Sequence, residues 1–285
     1  MKLQLLKLFL VCLCTSFSFS ALAQADFQGK AYYESKTTAE MPDFGGRQIS
    51  DEQKKRIEER MKSLFEKSYI LSFNRSESIY KEEEKLAAPS SSGGRGFRGP
   101  GDLSAGPKYK NIKTNQVIVD QEFFGKQFLI KDSLPKLVWK MENETKQIGQ
   151  YTCFKATAVK MVSGTDITSF RGPRRGGEDE DKSKEEETVE PREVTVTAWY
   201  TPQIPVNQGP DDYWGLPGLI LEVSADKTTI LCSKIVLNAK DDTEIKIPTK
   251  GKVVTQEEYT EIATKKMAEL RESFSGRGPG GGGRR

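Results

Sequence analysis

The chain has 285 residues and carries 44 Lys and Arg against 41 Asp and Glu, a formal charge of +3. A balance so close to neutral leaves no field to steer the whole protein toward nucleic acid or any other polyion. Histidine is absent, which excludes histidine-dependent triads, Cys–His nucleophiles and His-ligated zinc or copper.

Residues 1–23 have the layout of a secretory signal: Lys2 and Lys7, an apolar run from Leu8 to Leu13, then Ala21-Leu22-Ala23 as a small-x-small cleavage site. The run is too short to span a bilayer, and no later stretch is long and apolar enough to do so. The expected mature chain begins at Gln24, or at Asp26 if Ala23-Gln24-Ala25 is the site cleaved, and resides in the periplasm or cell envelope. Next, Phe27 to Lys36 reads as a strand. Residues 51–66 read as a helix, with Ile57, Met61, Leu64 and Phe65 at helical spacing. Ser50 with Gln53 is a capping-box pair at its start. Residues 68–81 alternate Tyr69, Leu71 and Phe73 and return through Ile79-Tyr80 as a second strand.

Residues 87–107, rich in Gly, Ser and Arg, offer too little apolar area to build a core. Gly94-Arg95-Gly96-Phe97-Arg98-Gly99 inside them matches GxGxxG. It lacks the preceding strand and following helix that dinucleotide binding needs, and no cofactor is expected. Further strands are expected at 108–113, 116–120, 122–131, 136–142 and 150–162. Residues 171–193 form a second low-complexity insertion, where three arginines precede an acidic run from Glu178 to Glu187. That run lacks the glycine turn and fixed ligand spacing of a calcium loop, so no metal site is assigned to it.

Residues 193–201 are the plainest strand, with Val-Thr-Val-Thr-Ala-Trp-Tyr-Thr at 194–201 alternating at period 2. The stretch Gly209-Pro210-Asp211-Asp212-Tyr213-Trp214-Gly215-Leu216-Pro217-Gly218-Leu219-Ile220 is unlike ordinary composition. Leu216-Pro217-Gly218 suits a type II turn that would deliver Leu219, Leu221 and Val223 to one strand face. Such a turn is ordinarily a structural corner; read as a ligand-gripping loop, its candidate side chains are Tyr213 and Trp214. Strands follow at 218–225, 228–238 and 243–248. A helix over 255–272 opens on a second capping box, Thr255 with Glu258. Residues 274–285 are a Gly/Arg tail.

Removal of the signal leaves two cysteines, Cys153 and Cys232. An oxidising compartment and an even count point to one disulfide, worth about 4–5 kcal/mol at most in the chain-entropy model. Alternation puts both on the mixed polar faces of their strands, on the same side if those strands are neighbours. Two free thiols on separate strands are the alternative.

The fold expectation is one mainly β domain over 24–273. Its form is an antiparallel meander, as a curved sheet or half-barrel, with two peripheral helices. No carboxylate pair, Ser-x-x-Lys or GxSxG stands in a catalytic context, so no catalytic residue is assigned and an enzyme is not expected.

Gly215-Leu216-Pro217-Gly218-Leu219-Ile220 spells the signature of the GLPGLI family. Thr197 to Pro205, Tyr151-Thr152-Cys153-Phe154-Lys155-Ala156, and the region from Phe128 through Trp139 to Gly149 resemble its flanking blocks. The resemblance covers roughly 110–240. It implies exported envelope proteins of uncharacterised function, often encoded near TonB-dependent transporters, and carries over no catalytic or ligand residue. The expectation is a non-catalytic envelope protein binding a protein partner or an apolar ligand, with an outer-membrane TonB-dependent transporter or an envelope lipid as candidate partners. The alternative is an accessory cation-binding protein of such a transport system.

Overall fold

The structure, a computed structural model, describes residues 27–38, 50–83, 106–162, 192–238 and 245–275. The expected signal at 1–23 and nearly all of 87–107, 171–193 and 274–285 lie outside these residues.

Twelve strands and two helices follow in the order β1 Gly29–Thr37, α1 Asp51–Phe65, β2 Glu66–Phe73, β3 Glu77–Glu82, β4 Lys108–Asn111, β5 Gln116–Phe123, β6 Lys126–Ser133, β7 Lys140–Ile148, β8 Tyr151–Val162, β9 Arg192–Thr201, β10 Leu219–Ala225, β11 Thr228–Leu237, β12 Lys252–Val254 and α2 Gln256–Ser275. Both helices start where the capping boxes place them. The Ser50 hydroxyl accepts from Gln53 N–H while Gln53 Oε1 accepts from Ser50 N–H. Thr255 and Glu258 make the same exchange. Each box satisfies two of the amides that a helix start leaves unpaired.

All strands form one sheet, ordered β12-β6-β5-β4-β3-β2-β1-β11-β10-β9-β8-β7. Among the described residues its pairs are antiparallel except β12 on β6. Two meanders, β1 to β6 and β7 to β11, are therefore sewn together where β1 pairs β11. The sheet is mainly antiparallel and open, as expected.

Its curvature follows from chain reach. β6 and β7 stand second and twelfth in the sheet. Ten steps of about 4.8 Å would hold them roughly 48 Å apart if the sheet were flat. The connection from Ser133 to Lys140 can span at most about 25 Å. The sheet must therefore curl until its ends approach. Lys110 on β4 and Lys160 on β8 both reach the β9–β10 connection, 202–218, which lies inside the curl.

Four expectations need correction. Residues 122–131 are not one strand: β5 and β6 are separated by a turn in which Phe124 takes φ 49° and Gly125 φ 71°. The strand expected at 136–142 is β7, shifted to 140–148, and residues 134–139 are the non-strand crossing between the sheet's ends. The last strand is β12 rather than 243–248, and Ile245 instead packs on Tyr109, Ile118 and Leu129.

The fourth is the disulfide. Cys153 and Cys232 are free, buried thiols. Their strands are not neighbours, because β9 and β10 stand between β8 and β11. Nor are they on polar surfaces, for both belong to one apolar cluster with Ala156, Val196, Tyr200 and Ile220. Burial pushes the Cys153 thiol up to about 11 and the Cys232 thiol up to about 12. Because the thiolate is the reactive form, neither should label with a maleimide in the native protein at pH 7.5. Both should label once it is denatured without reductant. A linked Cys153–Cys232 peptide in the non-reduced digest would contradict this.

Candidate functional site

The chemistry concentrates where the segment 202–218 meets the concave face. Ile204, Gln208 and Leu216 are buried within it; Ser78 of β3 reaches it, and Tyr33 of β1 reaches β10 just past its end. Tyr33 Oη donates to Ile220 O at 2.7 Å and Ser78 Oγ to Gln208 Oε1 at 2.8 Å. The crossing chain fastens the other side. Trp139 Nε1 donates to Trp214 O at 2.9 Å, and Trp214 Nε1 donates to Pro135 O at 2.7 Å.

Lys108 and Lys110 alternate with Tyr109 on β4, so both point into the curl. Lys110, 0% exposed, donates to the carbonyls of Gly209 at 2.7 Å, Asp211 at 2.8 Å and Tyr213 at 3.4 Å. Three ammonium hydrogens meet three carbonyls, which holds the loop in its bent path. Asp211 takes φ 48° there, a conformation aspartate tolerates better than most residues. Lys108 Nζ lies 2.5 Å from Asp211 Oδ1 and 2.6 Å from Asp212 Oδ1. Lys160 Nζ lies 3.2 Å from Asp212 Oδ2 and 5.6 Å from the centre of the Tyr213 ring.

The electrostatics divide these groups. Burial, reinforced by neighbouring Lys108, pushes Lys110 down to about 7. Burial would also lower Lys108, but Asp211 and Asp212 outweigh it and hold that ammonium above the usual lysine range. Burial likewise opposes ionisation of Asp212, yet Lys108 and Lys160 hold its carboxyl well below the usual carboxylate range. A depressed aspartate contributes stability that is present above its unfolded pKa, about 3.9, and is lost as pH falls through the folded value. The melting temperature should therefore drop between pH 5 and 2.5, and drop less in Asp212→Asn. Equal acid sensitivity of the two proteins in a thermal melt would refute that role.

The signature turn differs from its expected form. Gly218 N–H donates to Leu216 O at 2.8 Å, closing a three-residue turn about Pro217, and Leu219 N–H goes to Ile204 O at 3.0 Å rather than to Leu216. A type II turn would hold Gly218 at a φ of about 80°, whereas it takes 159°. The face assignment changes too. Ile220 and Val223 oppose Tyr200 and Ala198, with a bulge between Ile220 and Glu222. Ile220 therefore shares the face of Val223, and Leu219 lies on the other. Gly215 takes φ 93°, open to glycine and strained for other residues.

The two candidate ligand residues, Tyr213 and Trp214, are both engaged in holding this segment. The Tyr213 carbonyl serves Lys110, its side chain lies beneath Lys160, and both polar groups of Trp214 bind the crossing chain. The sequence reading missed Lys108, Lys110 and Lys160. The available signal was Lys-Tyr-Lys-Asn in a strand, which places two cations on one face, and the unassigned Asp211-Asp212 pair. Among the described residues no group of three or more Cys, Asp or Glu is arranged to hold a metal ion.

Residues 139–222 match the model of a family described as a protein of unknown function, Porph_ging. The match begins at Trp139 of the crossing chain and ends just past the signature, so it includes the whole 202–218 segment. The chain matches no curated protein. Among solved structures it is similar to PNGF-II in a C2 crystal form, at 14% identity and a TM-score of 0.47 over 85% of this chain and 33% of that one. PNGF-II in a P21 form gives 15% identity and a TM-score of 0.47 over 85% and 34%. The chain thus spans about a third of the length of those structures.

Proposed function

We propose that this chain is a non-catalytic exported protein of the cell envelope, of the GLPGLI kind, that binds a protein partner at its outer surface. One observation carries the reading. The concave face, where a curved sheet would hold a small ligand, is occupied by the chain's own 202–218 segment, held there by Ser78, Lys110 and Lys160. The charges beneath that segment are answered internally, with Lys108 and Lys160 on Asp211 and Asp212 and Lys110 on three carbonyls. Recognition is left to outward surfaces and sheet edges, which suit a macromolecule better than an apolar small molecule. The signature Gly215 to Ile220 and the signal-like residues 1–23 support the family and the compartment. An outer-membrane TonB-dependent transporter is the partner this reading expects.

The test is photo-crosslinking in growing cells, with a crosslinking residue at Met141 or Val253, exposed positions near the two ends of the sheet. A discrete, reproducible adduct with one envelope protein is the expected result, together with a native N-terminus at Gln24 or Asp26. Stoichiometric co-purified lipid without any protein adduct, or an intact Met1 on the envelope-associated protein, would overturn the reading.

A further inference from the structure

The two ends of the open sheet are treated differently. β7 carries Lys140, Glu142, Glu144 and Lys146. Lys155 of β8 pairs with both glutamates at 3.0 and 2.8 Å, and Lys146 pairs with Glu222 of β10 at 2.7 Å. Between Met141 opposite Ala156 and Thr145 opposite Phe154 the register shifts, so four positions of β7 span two of β8. Charges and a bulge are what folded sheets use to keep a foreign strand off an edge.

Among the described residues the other end lacks the bulge and the cross-strand ion pairs, and its only such devices are the short length of β12 and the single charge of Lys252. β12, Lys252–Val254, lies parallel on β6 in unbroken register. Its outer edge has no strand partner among the described residues. Val253 is 59% exposed there. α2 follows at once, and between strand and helix runs an open groove of about 240 Å³ lined by Lys252, Val253, Val254, Glu258, Glu261 and Ile262. Its apolar surface is aliphatic and its charge is one ammonium against two carboxylates. A strand edge beside a helix-lined groove is a recurrent way of binding an extended peptide: backbone pairing supplies affinity and alternate side chains enter the groove.

We propose that the β12–α2 groove binds an extended polypeptide segment of the partner by strand addition, with aliphatic residues on the Val253 face and alternate Lys or Arg residues on the helix face, their stems along Val254 and Ile262 and their charges against Glu258 and Glu261. This rests on the partner-binding reading above. Charge complementarity selects the occupant: a basic residue meets two glutamates, whereas an acidic one would be repelled. The short length of β12 limits a peptide to a few backbone bonds, so binding is weak and side-chain dependent.

Amide shifts of the full mature protein, titrated with acetyl-Val-Lys-Val-Arg-Val-amide and acetyl-Val-Glu-Val-Glu-Val-amide, test it. The basic peptide should move resonances of 252–262 and bind at least tenfold more tightly than the acidic one. Glu261→Lys should remove that preference without changing the melting temperature; Glu261→Gln gives the same readout if the reversal harms folding. Equal affinity for the two peptides, shifts confined to β7, or unaltered binding by both variants would overturn the proposal. The crosslinking positions separate it from the broader reading. A protein adduct from Met141 but not Val253 removes this groove and leaves partner binding standing. Adducts from neither remove both.

Discussion

Lys110→Met should lower the melting temperature by about 6–12 °C. Methionine is close in shape to the lysine stem but donates nothing, so the carbonyls of Gly209, Asp211 and Tyr213 lose their common donor in the interior. An orphaned buried acceptor costs about 1–3 kcal/mol. Three of them, offset by removal of a buried charge, come to about 3 kcal/mol, and at this size each kcal/mol moves the melting temperature by about 2–4 °C. The effect should depend on pH with a definite sign. Between the folded value of about 7 and the ordinary lysine value the unfolded chain holds a proton that the folded chain has shed, so stability from this group rises with pH. The gap between wild type and Lys110→Met should therefore widen from pH 7 to pH 9. A melting temperature within 2 °C of wild type throughout would show that Lys110 does not hold the segment.

Gly218→Ala should be at least as damaging, by about 3 kcal/mol or more. A Cβ at this position would stand 2.2 Å from Thr201 O and 2.5 Å from Thr201 C. Those are backbone atoms of the strand paired with β10 at Leu219, and they cannot rotate away. The substitution must part β9 from β10 or move the turn, which places it at the severe end of overpacking changes. Gly215→Ala provides the contrast. Its Cβ would meet nothing nearer than Trp139 Nε1 at 4.0 Å, leaving only the cost of φ 93°, about 1–2 kcal/mol. A thermal melt of both variants decides the matter: equal losses would mean that conformation, not contact, requires glycine at 218.

Much of the fold could be read from local pattern. Residues 194–201 alternate because one face of β9 is buried, and both capping boxes act within four residues. The failures share a physical cause. β7 shows no apolar alternation because it lies at an exposed edge, so only its pairing with β8 makes it a strand. The break between β5 and β6 reads as lying at 121 rather than 124–125 because Phe124 carries the positive φ usually given to Gly or Asn. β12 is three residues long and defined by a parallel partner more than a hundred positions earlier. The candidate site was half visible: Gly209 to Ile220 stood out by composition. Its cations lie on β4 and β8, and no local signal links Lys110 to carbonyls about a hundred positions away.

The seam between β1 and β11 also sets the order of events during folding. Thr37 and Thr228, whose hydroxyls meet across it, are 191 positions apart in the chain. Closing so long a loop is slow, and rates fall as pairings become more distant in sequence. A chain delivered from its N-terminus can assemble β1 to β6 while β11 has yet to emerge. During that interval Ala31 and Tyr33, fully buried in the finished protein, lie on a strand whose second edge is open and that any other extended chain could join. The half-made molecule is thus most prone to aggregation along β1, and a chaperone that shields this strand should raise the folded yield more than one acting on the completed sheet.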